Sequence, residues 1–324
     1  MANEILGAKS YLMLASEDIW GSNPMGAAGS GSNASGSAQD YMHIPCNEYS
    51  VRFHPDNRQH TPFIGLKQRK HSTNYRGMPS GQLIVPFYGW KADNMSTSVA
   101  EYLMQWGFAN HETDAPPSKT AAWAEGPNIS NKIHNGLRVS TATLAGDDDS
   151  GEVTITLELQ GKTEDTLSTM PALPVDHEKL VEAKFADVSL TLGGTAVNIK
   201  QFQWQVQSVL IAEYLNSFNP SLLLKTAHIE TFQCTLIKNA STYDVYRRLT
   251  TDTELAATLV VKGLHNGTGG SGNYSQVSVS LPRMHFIDSD DQVSLDSLVR
   301  QPLSFVVLKP DNSNNCSAMT WSEV

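Results

Sequence analysis

Ten histidines, three cysteines and several acidic runs are the groups in this 324-residue sequence that could do chemistry, so their spacing is read first. A helical zinc-protease site needs two His four apart with a Glu between them, and no such pair occurs. His54, His60 and His71 are loosely spaced in a polar stretch and make no ligand set. Asp147-Asp148-Asp149 offers hard oxygen donors, but a calcium loop needs regularly spaced carboxylates closed by a bidentate Glu. The run reads as a hairpin tip, and Asp288-Ser289-Asp290-Asp291 reads the same way. A nucleophilic serine would be marked by a G-x-S-x-G elbow, and a phosphate cradle by a P-loop or a G-x-G-x-x-G turn; none is present. Paired carboxylates for glycoside hydrolysis leave no trace in spacing, because they converge only in the fold. Cys46, Cys234 and Cys316 are odd in number, far apart and outside any C-x-x-C pattern, as expected of free, mostly buried thiols. Trp20, Trp90, Trp123 and Trp321 suit either a sugar-binding platform or core and interface packing, and packing is the expectation in a β-rich chain. No catalytic residue, metal ligand or cofactor is assigned, and the chain is not read as an enzyme.

Composition narrows the function further. The chain carries 23 Lys and Arg against 33 Asp and Glu, a net charge of −10. Neither half is basic: up to residue 180 there are 13 basic and 20 acidic residues, and 10 and 13 after it. Sequence-specific nucleic-acid binding draws its affinity from clustered Lys and Arg, so it is disfavoured. The one basic cluster, Lys67-Gln68-Arg69-Lys70-His71, reads as a solvated loop. With 40% hydrophobic and only 17% charged residues, the chain is too apolar for disorder and too lightly charged for a coiled coil. No run of about 18 apolar residues suits a membrane span, and residues 1–14 lack a signal-type apolar core. Synthesis in a cytoplasm is expected, with no membrane partner. The sequons Asn33-Ala34-Ser35 and Asn266-Gly267-Thr268 are then chance matches in polar loops.

The elements that must carry any site are mostly strands. Val153-Thr154-Ile155-Thr156-Leu157-Glu158-Leu159-Gln160 alternates apolar and polar throughout, as a strand with one wet face requires. Residues 199–208 do the same, with Phe202, Trp204 and Val206 on one face and Gln201, Gln203, Gln205 and Gln207 on the other. Further strands are expected at 51–53, 82–88, 137–144, 186–192, 230–237, 255–261, 276–286 and 303–308. Two stretches read as helices. Residues 94–106 open with capping residues and place Val99, Tyr102, Leu103 and Trp106 on one stripe, and 241–249 align Tyr243, Tyr246 and Leu249. Each follows a strand and precedes two alternating strands, so the halves look like one unit used twice. The tract from Pro24 to Ser37 is too rich in Gly and Ser to pack alone and reads as a flexible arm or loop.

These observations give a mainly β chain of two β-sandwich units, each flanked by one α-helix and related by internal duplication. The expected organisation is an N-terminal arm and loop over 1–38, a first unit over 39–170, a linker over 171–183 and a second unit over 184–324.

The second half carries a resemblance. Phe185-Ala186-Asp187-Val188-Ser189-Leu190, the strand from Ile199 to Val206, Glu230-Thr231-Phe232-Gln233-Cys234-Thr235-Leu236, Leu281-Pro282-Arg283-Met284-His285-Phe286, Asp296-Ser297-Leu298 and Gln301-Pro302-Leu303-Ser304-Phe305 resemble the tail tube (major tail) proteins of long non-contractile-tailed bacteriophages. Gly7-Ala8-Lys9-Ser10-Tyr11-Leu12 through Trp20-Gly21 is similar to the start of that family. The resemblance implies a virion structural protein. Its β-sandwich units join around a ring, rings stack into a tube, and DNA passes through the bore during ejection without specific binding. Six units complete a ring in that family, so a chain with two implies a trimer with pseudo-sixfold symmetry. Its partners would be further copies of itself, a tape measure protein, and tail terminator or tail tip proteins. Gln201, Gln203, Gln205 and Gln207 are then candidates for the channel lining, with the alternative that they meet outer solvent or a neighbour. Gly26, Gly29 and Gly31 are candidates for an arm reaching the next ring. The stretch 108–135 departs from the family pattern as a long insertion. A carbohydrate-binding adhesin or receptor-binding virion component is the other reading.

Overall fold

The computed structural model describes residues 11–24, 42–60, 71–89, 97–109, 116–124, 131–167, 182–237, 254–263, 275–289, 300–310 and 315–323. The alternation seen in the sequence becomes a mainly β, antiparallel architecture. The N-terminal half contains β1 (Tyr11–Ser16), β2 (Met42–Ile44), β3 (Glu48–Tyr49), β4 (Arg52–His60), β5 (His71–Pro86), α1 (Val99–Phe108), β6 (Lys119–Ala124), β7 (Asn131–Asp147), β8 (Val153–Gln160) and β9 (Thr163–Leu167). The C-terminal half contains β10 (Val188–Leu192), β11 (Thr195–Val197), β12 (Ile199–Glu213), β13 (Leu222–Ile237), β14 (Leu255–Lys262), β15 (Ser275–Ser289), β16 (Arg300–Val307) and β17 (Ala318–Glu323).

In the first half β1 lies between β2 and β6, and β6 continues to β7. β7 is long enough to serve two sheets. Its first residues pair with β9 and its later ones with β8, while β8 in turn pairs with β5, beside which β3 and β4 lie. In the second half β10 lies between β11 and β14, and β14 continues to β15. The start of β15 pairs with β17 and its end with β16, while β16 pairs with β13 and β13 with β12. Among the described strands one pairing joins the halves: β7 pairs with β12 from Gln201↔Asp147 to Gln207↔Thr141. Strands β4, β5, β8, β7, β12, β13, β16 and β15 therefore form one continuous antiparallel run.

Period two sets which side of this run is buried. Along β8 Val153, Ile155, Leu157 and Leu159 are buried, and along β12 Phe202, Trp204 and Val206 are. They join Leu83, Leu144, Phe232 and Phe305 in one hydrophobic cluster that extends through both halves. Each fully buried side chain of this size contributes about 1.5–3 kcal/mol. α1 closes the cluster over β7 and β8. Ser98 caps it by accepting from the Glu101 amide at 3.1 Å, and Leu103, Met104, Trp106 and Phe108 are buried. Phe108 meets Trp204 with ring centroids 4.4 Å apart, which ties the helix of one half to a strand of the other. Gly107 lets the helix come this close, because a Cβ there would lie 2.9 Å from both Ala142 and Leu157.

Several expectations need correction. The helix expected from 94 starts at Val99, because Ser98 supplies the cap; Tyr102, placed on its buried stripe, is only half-buried and packs beneath Lys119. Ala186 and Asp187, expected in a strand, form a 3-10 turn with Phe185, and the strand begins at Val188. Within 108–135 lies β6, which fills the place between β1 and β7. The helix expected at 241–249 and the glycines Gly26, Gly29 and Gly31 lie outside the described residues, as does the linker up to 181. Of that linker, Glu182 bridges to Tyr88, and the Ala183 amide donates to the Phe87 carbonyl at 2.9 Å. Among the described residues no helix is long and apolar enough to cross a membrane.

Candidate functional site

The glutamines singled out in the sequence share one face of β12, opposite the Phe202, Trp204 and Val206 side. The register extends that face across neighbouring strands. Thr154, Ala145, Gln203, Gln233 and Ser304 form one row from β8 to β16, and Thr156, Thr143, Gln205, Thr231 and Val306 form the next. Both rows are uncharged. The flanking rows add Glu158 beside Thr141 and Gln207, and Asp147 beside Gln201. The face therefore presents amides, hydroxyls and the carboxylates of Asp147, Glu152 and Glu158, with Arg300 at its far end on β16. Beside Gln203 and Gln233 the sheet has a depression of about 300 Å³ lined by no basic residue.

Past Gln207 the same face changes character. Over 208–213 β12 pairs, among the described strands, only with β13, because the pairing of β7 with β12 ends at Gln207 and that of β16 with β13 ends at Thr231. The result is a two-stranded arm with a back and a front. The back rests on the body. Leu223 is fully buried and its carbonyl accepts from Arg138, the Gly77 amide donates to the Phe218 carbonyl at 3.0 Å, and Phe218 stacks on Phe53. The front exposes Val209, Ile211, Leu222, Leu224 and Ile229, with Ile211 directly opposite Leu224 and 46% exposed. Contiguous exposed apolar surface of this kind marks an interaction site more often than an ordinary surface. The sequence hid it. From Val209 to Ala212 and again from Leu222 to Leu224 every residue is apolar, so no alternation says which face is wet.

The other candidates fall into place as structure. Asp147 opens the turn between β7 and β8: the Asp149 amide donates to its carboxylate at 2.6 Å and the Gly151 amide to its carbonyl at 2.8 Å, with Gly151 at φ +72°. Lys200 reaches back to Asp148 and to Asp149, the latter at 2.7 Å. Hydrogen bonding to Lys200 holds the Asp149 carboxyl below its ordinary range. His54 is exposed on β4, and the side chains of His60, His71 and Asp288 lie outside the described residues. Trp20, Trp123 and Trp321 are half-buried and separately engaged. Trp20 donates to the Gly136 carbonyl at 2.9 Å, Trp123 packs on Tyr49, and Trp321 stacks on Phe87. Burial pushes the thiols of Cys46 and Cys234 up to about 11 and about 12, so both stay protonated and poorly nucleophilic at neutral pH.

A buried polar chain was not visible in the sequence. The Tyr49 hydroxyl meets His134 Nδ1 at 2.7 Å, His134 Nε2 meets Glu164 Oε2 at 3.0 Å, and that oxygen also accepts from the Phe53 amide at 3.0 Å. Burial holds the Tyr49 hydroxyl well above its ordinary range, so the chain ties β3, β4, β7 and β9 together rather than activating an oxygen.

No protein-family model and no curated protein sequence matches the chain.

Proposed function

We propose that this chain is a structural subunit that assembles as stacked rings into a tail tube of the phage type, with the uncharged sheet face turned toward the bore. The observation that carries the reading is the strand pairing. β1 with β2 and β6, β6 with β7, β7 with β8 and β9, and β5 with β4 and β8 recur in the same order as β10 with β11 and β14, β14 with β15, β15 with β16 and β17, and β13 with β12 and β16. This supports a duplicated unit, with β3 and β4 together standing where β12 stands. In that correspondence the β7–β12 junction is a contact between one unit and the next.

Both ends of the continuous run are built to repeat that junction. Among the described strands β3 and β4 pair with β5 alone. Beyond the Met284↔Leu255 pair no described strand lies alongside β15 on the β14 side, the side on which β7 receives β12. A second copy that brings its β3–β4 edge to this end of β15 satisfies both edges, and an exposed edge is a template for such pairing. Three chains with two units each then close the six-unit ring of the tail tube family, and the apolar front of the arm meets a further copy. An uncharged and acidic bore suits a polyanion in transit, since each Lys or Arg contact would release counterions and hold it. The tape measure, terminator and tip proteins of a tail are the further partners on this reading, and the virion is its location.

A glycan-binding adhesin would present aromatic rings to solvent, and the described tryptophans are engaged within the fold. Negative-stain microscopy of the purified chain at rising concentration separates the two. The tube reading predicts annuli and stacked tubes of uniform width. A monomer at every concentration, or a closed oligomer that binds glycan, would contradict it.

A further inference from the structure

We infer that His228, Glu230 and Cys316 form a site for one divalent transition-metal ion of the zinc class. His228 and Glu230 are two apart on β13, so the strand turns both toward the side that carries Phe232 and Cys234 into the core. Cys316 arrives from the segment just before β17. One ring nitrogen, one carboxylate oxygen and the sulfur lie within 4.8 Å of one another. Tetrahedral zinc, with ligands at about 2.0–2.3 Å, sets its donor atoms about 3.3–3.8 Å apart. Rotation of the Cys316 side chain, half-buried on the segment just before β17, would close that gap.

The donor set names the ion. Thiolate and imidazole disfavour calcium and magnesium, which take oxygen, and one each of N, O and S suits zinc and its surrogate cobalt. The carboxylate is already oriented. Trp204 Nε1 donates to Glu230 Oε1 at 2.8 Å, leaving Oε2 toward His228 Nε2 at 3.6 Å. An outer partner of this kind fixes a ligand's direction in metal sites. Glu230 is also 1% exposed, so an ion held by it would be screened little by water. The sulfur within reach of both other donors distinguishes a metal site from a plain His–Glu contact. Three protein ligands leave a fourth position for water. β13 loses β16 as a neighbour at this point, since their pairing ends at Thr231, so the ion would pin the root of the arm to the segment before β17. The site does not depend on the assembly reading.

Titrating the full-length, metal-free protein with cobalt tests it by absorbance. The expected result is one equivalent bound, with the intense visible bands of a tetrahedral ion and a near-ultraviolet thiolate-to-cobalt band. Cys316→Ser should remove the thiolate band and weaken binding at least about tenfold, and Glu230→Gln should weaken it while keeping the band. Zinc added to the cobalt form should bleach the spectrum. No cobalt uptake by the folded protein, uptake without a thiolate band, or a band that survives Cys316→Ser would each overturn the site. Far-ultraviolet circular dichroism of each variant separates lost binding from lost folding.

Discussion

Lys119 shows what a single residue costs in this fold. Its side chain is buried on β6, where Nζ donates to Ser16 Oγ at 3.0 Å and sits 3.6 Å from the centroid of the Tyr102 ring. Burial pushes its ammonium down to about 7 from an ordinary 10.5. The folded chain therefore binds this proton less readily than the unfolded chain, and the group's contribution to stability rises with pH from about 7 to about 10.5. Lys119→Met should stabilise the protein by about 1–3 kcal/mol below the folded pKa, since it removes a desolvated charge. That advantage should shrink as pH approaches 9. Paired thermal melts across this range check it, and a constant difference would show that Lys119 keeps its proton throughout. The glutamine face makes the second prediction at this scale. Gln203→Lys with Gln205→Lys should leave folding intact, since neither side chain enters the core, and on the proposed tube reading it should slow DNA passage through assembled tubes, most at low salt where screening is weakest. Ejection at wild-type rate under those conditions would remove the face from the bore.

At the scale of elements, legibility followed alternation. The β8 strand was readable residue for residue, because Val153, Ile155, Leu157 and Leu159 alternate with polar neighbours. β12 and β13 are readable only where they alternate, so 199–208 reads as a strand while the arm beyond it, apolar on both faces, does not. β6 carries no strand signal for another reason: Thr120, Ala121 and Ala122 are small and nearly all its residues are buried, which erases period two. The polar chain through Tyr49, His134 and Glu164 joins residues from three strands, and no local pattern announces it. The arm yields the prediction that belongs here. Ile211→Asp places a charge on its exposed front, where substitutions seldom cost more than about 0.5 kcal/mol. The variant should melt with the wild type and fail to polymerise, which sedimentation velocity resolves. Tubes formed as readily as wild type would show that the apolar front serves something else.

For the whole molecule, the central claim is that one chain carries two equivalent units, so that one ring junction lies inside the chain and the next lies between chains. The internal junction is the antiparallel pairing of β7 with β12. The external one, on the proposed reading, would be its repeat, made by the far end of β15 and the β3–β4 edge of another copy. Length and the repeated order of strands gave the duplication its first support, whereas the shared sheet could not be read from sequence, because strand order across the two halves is set by packing and not by any local signal. An image reconstruction of assembled material, resolved well enough to trace strands and count chains per ring, is the most direct test. The account predicts three chains in a pseudo-sixfold ring, with β7–β12 and β15 to β3–β4 junctions alternating around it. Six chains per ring, or a ring in which either edge stays unpaired, would contradict it.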